Sequence, residues 1–240
     1  MNQKLLNNKV HNAITERVRT RICEIGDSTG NIIKYDGKVY IVTCRHVADY
    51  FFKEDKSYIP LKNGNRIPFN QLKYSACTNI DLDIALIEVI DNDFIHEYYE
   101  NHDFEIINDF GQYDFSKIYF FICGFPEQLS INKGTTKKIV YFSYGANISN
   151  DLPSNEDFIY LHYKQESVTT EDLLTKLPPA PGLSGAFILK VKTFEGRQTD
   201  IWQPSFAKII AIQTSWNKKD RLKATNIKHL FKLLKKTKST

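Results

Sequence analysis

The stretch NIIKYDGKVYIVT, Asn31 to Thr43, limits what this chain can fold into more than any other. Two runs rich in β-branched and aromatic residues meet at Asp36-Gly37, a pair that tolerates the positive φ angles of a two-residue hairpin turn. YIPLKNGNRIPF repeats the device around Asn63-Gly64. DIALIEVI, from Asp83, is a short apolar run suited to a buried strand, and KIYFFICGF, KKIVYFSYG, FIYLHY, GAFILKVKTF and AKIIAIQTSW read as further strands. Helical spacing occurs only near the ends. Ile14, Val18 and Ile22 make one stripe; Ile227, Leu230, Phe231 and Leu234 make another, with Thr225 as its N-cap. Short strands punctuated by Gly, Asn, Asp and Pro predict an all-β sandwich or barrel with helices at its two ends.

Charge divides the strands into two groups. From Asn79 to Ser116 there are eleven Asp or Glu and no Lys or Arg, a segment that fits helix or loop. It separates strands in roughly residues 20–90 from those in 115–217, which predicts two lobes, 1–114 and 115–240. From Lys218 to Thr240 there are nine Lys or Arg and one Asp, within a chain of net charge +4. A basic tail suits nucleic acid or an anionic membrane. The apolar stripe within it instead predicts a helix packed on the domain with its lysines in water, which argues against a nucleic-acid partner. An apolar fraction of 42% and a charged fraction of 25% suit a globular domain. No run approaches the roughly 18 apolar residues of a membrane span, and the opening MNQKLLNNKVHN lacks the apolar core of an export signal. Cys23, Cys44, Cys77 and Cys123 are widely spaced with no C-x-x-C pair, which predicts four reduced thiols in a cytoplasmic protein rather than a metal site.

The chemistry is concentrated in LPPAPGLSGAFIL, Leu177 to Leu189. Ser184 between Gly182 and Gly185 is either part of an ordinary tight turn or an exposed nucleophile. A serine attacks at neutral pH only if a base takes its proton, usually a histidine oriented by a carboxylate. Of six histidines, His46 has the strongest placement, directly after the second strand of the first hairpin. His11, His96, His102, His162 and His229 read as surface or satisfied core residues. Asp83 heads an apolar strand and is the candidate acid; Asp81, two residues earlier and on the same face of an extended chain, is the second choice.

TCRHV, DLDIALIEV and GLSGA, in that order and at intervals of 37 and 101 residues, resemble the chymotrypsin-fold (trypsin-like) serine peptidases, nearest to the bacterial HtrA-type protease domains. The resemblance covers roughly residues 20–235 and implies a double antiparallel β-barrel. It makes His46 the general base, Asp83 the orienting acid, Ser184 the nucleophile, and the N–H groups of Gly182 and Ser184 the oxyanion hole. Pro178 falls where members that cut after Lys or Arg keep an Asp, which implies an apolar or small residue before the cut bond; Gln213, Thr214 and Ser215 would line that pocket. Ala186 stands where the family often has a second Gly, and no PDZ domain follows. The implied function is a serine endopeptidase with a polypeptide substrate, no cofactor and no metal, and a protein partner that orders the oxyanion loop if it is latent. The alternative is a catalytically silent trypsin-like fold acting as a binding or scaffold module.

Overall fold

The computed structural model describes residues 3–19, 21–53, 58–60, 66–68, 72–90, 95, 118–133, 136–138, 140–149, 154–163, 177–192, 207–217 and 220–237. A first helix, α1 (Gln3–Arg19), leads into β1 (Ile22–Ile25), β2 (Ser28–Tyr35) and β3 (Lys38–Cys44). Then come α2 (Arg45–Lys53), a small ribbon of β4 (Tyr58–Pro60) and β5 (Arg66–Pro68), β6 (Lys73–Ala76) and β7 (Ile84–Val89). The second group holds β8 (Ile118–Gly124), β9 (Ile131–Lys133), β10 (Thr136–Lys138), β11 (Phe142–Ala146), β12 (Phe158–His162), β13 (Phe187–Lys192), β14 (Ala207–Asn217) and β15 (Arg221–Asn226). A last helix, α3, covers Lys228–Thr237.

The predicted hairpin is present: β2 and β3 pair with Tyr35 opposite Lys38, and Asp36 and Gly37 take φ of 53° and 78° between them. These are the two positive angles that the Asp-Gly pair tolerates. The ribbon β4–β5 also forms, while its Asn63-Gly64 turn lies outside the described residues. Five antiparallel strands make the first sheet in the order β1-β2-β3-β7-β6. Six make the second, β11-β8-β13-β14-β15-β12. The chain beyond β11 then bridges to β12 through Ile148 and Leu161, with Ser149 N donating to Tyr160 O at 2.8 Å, so the second sheet closes on itself. The architecture is the two-lobed antiparallel β fold of the chymotrypsin type.

The lobes share one core. Val42, Ile84 and Leu86 of the first sheet meet Phe121, Phe187 and Ile212 of the second, with Ile14 and Val18 of α1 and Leu230 and Leu234 of α3 filling the flanks. Burial of this kind contributes about 25 cal/mol per Å² of apolar surface, so the lobes are held together by the same effect that builds each of them. The four cysteines are buried and free.

Four sequence expectations need correction. Helices are not confined to the ends, because α2 follows β3 directly; its Val47 and Ala48 are buried and Phe51 and Phe52 pack on the first-lobe core. Thr225 does not cap α3: it lies in β15 opposite Ile212 and Phe158, and Asn226 Oδ1 accepts from Lys228 N at 3.0 Å instead. Burial alternates from Arg221 to Ala224, Thr225 is itself fully buried, and pairing with two neighbours outweighs a cap. Ile22 belongs to β1, not to the helical stripe of Ile14 and Val18. KKIVYFSYG is divided between β10 and β11. The basic tail behaves as expected: Lys232, Lys235 and Lys236 of α3 are exposed while Leu230, Leu233 and Leu234 are buried. Most of the acidic segment, 91–94 and 96–116, lies outside the described residues.

Candidate active site

His46 sits in the first turn of α2, immediately after β3 ends at Cys44. A helix start leaves its first backbone N–H groups without intrahelical partners. Here Asp83 supplies them from 37 residues away: its main-chain oxygen accepts from Arg45 N at 3.1 Å and its Oδ1 from His46 N at 2.9 Å. The other carboxylate oxygen, Oδ2, lies 2.7 Å from His46 Nδ1. One carboxylate therefore caps the helix and orients the ring at once, and the positive end of the helix favours its negative charge. With Nδ1 donating to Asp83, Nε2 is left as the acceptor.

Local turns place the carboxylate. Asn79 Oδ1 accepts from Asp81 N at 3.0 Å and starts a single 3-10 turn, Ile80–Leu82, after which Asp83 takes a left-handed φ of 50° before β7. That turn separates the two candidate acids. Asp81 is exposed and has no hydrogen bond to His46; its main-chain oxygen accepts from Lys223 Nζ at 3.3 Å. The strand alternation that would have put both on one face does not begin until Ile84.

Ser184 is half-buried in a turn gripped by the first lobe. Thr29 N donates to Ser184 O at 3.1 Å, Thr29 Oγ1 to Gly182 O at 2.7 Å, and Asn31 Nδ2 to Gly185 O. From the second lobe Glu127 N donates to Pro181 O at 2.9 Å, and Gly185 N donates to Gln213 O at 2.8 Å. Both glycines are required. Gly182 and Gly185 have φ of 93° and 95°. A Cβ on Gly182 would lie 2.2 Å from Phe125 O, and one on Gly185 would lie 2.1 Å from Thr29 O. The space beside Ser184 is thus taken up by backbone of both lobes, Phe125 on one side and Thr29 on the other. Leu183 N, Gly185 N and Ala186 N are all used within the fold, whereas the N–H groups of Gly182 and Ser184 have no hydrogen-bond partner among the described residues.

Thr29 and Asn31 were not singled out in the sequence, and Cys44 was read there only as one of four reduced thiols. Thr29 and Asn31 are polar, 0% and 1% exposed, and two apart on one face of β2, a pattern visible as polar interruptions of a strand. Cys44 Sγ donates to Gln213 O at 3.2 Å and lies within 4.8 Å of the ligand atoms of His46 and Asp83. Burial, then the Asp83 charge, push its thiol well above the usual range. A thiol, imidazole and carboxylate at such spacing are a metal-ligand combination, but each already has a protein partner.

Of the other expected pocket residues, Pro178 is buried and its oxygen accepts from Tyr163 Oη at 2.8 Å. Gln213 is buried in the second lobe. Thr214 is buried with its Oγ1 3.5 Å from Thr225 Oγ1, and Ser215 is exposed. Among the remaining histidines, His11 Nε2 meets Ser143 Oγ at 2.9 Å, His229 Nε2 meets Asp157 Oδ1 at 2.8 Å, and His162 lies in β12. His96 and His102 lie outside the described residues.

No family model and no curated protein matches the chain. Solved structures do. The chain is similar to Rv3671c of Mycobacterium tuberculosis H37Rv, in the inactive form of a serine-to-alanine mutant, at 11% identity over 96% of this chain and 93% of that one, with a TM-score of 0.55. It is also similar to the serine protease domain of the Sesbania mosaic virus polyprotein, at 10% identity over 90% and 92% of the two chains and a TM-score of 0.48. The tobacco vein mottling virus protease matches at 12% identity over 88% and 79%, with a TM-score of 0.43. At 11% identity the likeness to Rv3671c concerns the fold alone, and it agrees with the chymotrypsin-like β fold that the sheet orders above describe.

Proposed function

We propose that the chain is a serine endopeptidase of the trypsin-like type, with His46 as general base, Asp83 as orienting acid and Ser184 as nucleophile. The observation that carries this reading is the double contact of Asp83 with His46, at 2.9 Å to the backbone N and 2.7 Å to Nδ1. It holds the imidazole in one tautomer with Nε2 free to accept a proton, which is what activation of a serine requires.

His46 Nε2 takes the Ser184 proton as Oγ attacks the peptide carbonyl. The oxyanion that develops is received by the N–H groups of Gly182 and Ser184, and one such donor is worth about 3 kcal/mol of barrier. His46 then passes the proton to the leaving amine, and water releases the acyl group by the same route in reverse. Asp83 stays ionised throughout and steadies the imidazolium. The substrate is a polypeptide, and the active site draws on both lobes, His46 and Asp83 from residues 1–114 and Ser184 from 115–240. Four buried free thiols support a reducing, cytoplasmic setting.

A fluorophosphonate probe tests the reading. It should label the protein at Ser184, fail with Ser184→Ala and label His46→Ala far more slowly. A folded protein that takes no label sinks the proposal and leaves the scaffold alternative.

A further inference from the structure

Donors that stabilise an oxyanion are most effective when they are already oriented before the charge develops. The N–H of Gly182 belongs to the Pro181–Gly182 peptide, and that of Ser184 to the Leu183–Ser184 peptide. Both peptides are trans, so each points its C=O and its N–H to opposite sides. Whatever holds the carbonyl therefore decides where the N–H faces. Both carbonyls are held: Pro181 O accepts from Glu127 N at 2.9 Å, and Leu183 O accepts from Ala186 N at 2.9 Å. Each N–H is turned away from these partners and has none of its own among the described residues.

Ala186 belongs to the nucleophile turn itself, whereas Glu127 comes from outside it. Thr29 of β2 joins the two. Its Oγ1 donates to Gly182 O at 2.7 Å and accepts from Phe125 N at 3.1 Å. One hydroxyl thus ties the carbonyl just after the Pro181–Gly182 peptide to the chain two residues before Glu127. Thr29 N donates to Ser184 O at 3.1 Å, and Thr29 O accepts from Thr43 Oγ1 at 2.9 Å. Thr29 is 0% exposed, and every polar atom it has is engaged in this network.

We infer that Thr29 is a positioning residue for the reaction: its hydroxyl locks the Phe125–Glu127 segment to the nucleophile turn, so the Gly182 and Ser184 N–H groups stand ready before substrate arrives and need no protein partner to order them. The inference rests on the peptidase reading and replaces its latent form. Turning the Pro181–Gly182 peptide over would take the acceptor from Glu127 N and set one donor against another. Removing the hydroxyl would leave Gly182 O and Phe125 N unpaired and loosen the segment that opposes this turn.

The rate constant for fluorophosphonate labelling reads the hole, because the phosphonyl oxygen occupies it as Ser184 attacks. The purified parent should label to completion with no other protein present. Thr29→Val keeps the shape without the hydroxyl and should label at least about tenfold more slowly, yet still to completion. A merely structural role would lower the labelled fraction and leave the rate constant of the folded molecules unchanged. Thr29→Ser, which keeps the hydroxyl, should recover the rate. Glu127→Pro is an independent arm should Thr29→Val fail to fold. Glu127 is exposed and opens a 3-10 turn whose bonds use Leu129 N and Ser130 N, so a proline fits there and removes the donor to Pro181 O. It should slow labelling in the same way. An unchanged rate constant in either folded variant, no recovery in Thr29→Ser, or a parent that labels only when a cell extract is added overturns the inference and leaves the peptidase reading standing. A folded parent that takes no label under either condition removes the peptidase reading, and this inference with it.

Discussion

The thiol of Cys44 donates to the main-chain oxygen of Gln213 across 3.2 Å, and the same oxygen accepts Gly185 N at 2.8 Å. One carbonyl of the second lobe thereby joins the residue ahead of Arg45-His46 to the residue after Ser184. Cys44→Ala should remove the first-lobe half of this link and leave a small void, lowering stability by about 1–2 kcal/mol. Cys44→Ser keeps a donor and should recover part of the loss. Urea unfolding of the three proteins gives the order, and equal stability of parent and Cys44→Ala would show that the bond contributes nothing. In the same protein the buried thiols should resist aromatic disulfide reagents until the chain unfolds.

Asp83 and Asp81 are two residues apart and should differ widely on substitution. Asp83→Asn presents an amide to His46 Nδ1, favours the wrong tautomer, and should lower turnover by roughly 10⁴-fold. It also weakens the acceptor at the start of α2, where loss of a cap costs about 0.5–2 kcal/mol. Asp81→Asn should leave both activity and melting temperature close to the parent, since Asp81 contacts Lys223 only through its main-chain oxygen. Steady-state rates with any cleavable peptide decide the matter. A larger loss at Asp81 than at Asp83 would transfer the acid's role.

Much of this was legible in the sequence because strong local signals and the global fold agree. Asp36-Gly37 marks its turn, and the hydroxyl, imidazole and carboxylate stand at structural boundaries where a scaffold can aim them. The failures have physical causes. Thr225 is a good cap by residue type, but β15 has partners on both sides and extends to Asn226. α2 was hidden by Tyr50, Phe51 and Phe52, which are strand-prone residues that here cover the first-lobe core or face solvent. The roles of Thr29, Asn31 and Cys44 depend on contacts across 153, 154 and 169 residues, which no local pattern encodes.

Gly185→Ala tests how tightly the first lobe grips the nucleophile turn. The new Cβ would meet Thr29 O at 2.1 Å in a backbone whose φ is 95°. Both the clash and the left-handed angle oppose it, so a loss of roughly 1–3 kcal/mol or more is expected. Gly37→Ala, at a turn with φ of 78° but nothing within 4 Å, isolates the backbone term and should cost less. Thermal unfolding of both variants checks the order; equal shifts would mean that contact with β2 adds no constraint.

Stability should fall on acidification in two separate stages. Burial holds His11 below its usual 6.5, and burial outweighs the attraction of Asp157 to do the same for His229. Between 6.5 and these lower folded values the unfolded chain binds more protons than the folded one, so stability rises with pH. The contribution is complete above about 6.5 and is lost as pH falls through that window. Asp157 acts further into acid. Hydrogen bonds from Lys228 and then His229 hold its carboxyl below 3.8 in the folded chain, so its contribution is present above that value and lost as pH falls through the folded one. His11 packs against Phe121 with ring centroids 4.8 Å apart and bonds Ser143, which ties α1 to the second sheet. His11→Gln should therefore reduce the first stage to the part that His229 contributes and leave the second in place. Melting temperatures from pH 8 to 3 at fixed ionic strength trace both stages. A melting temperature that rises as pH drops from 7 to 5 would contradict the assignment of neutral, buried imidazoles.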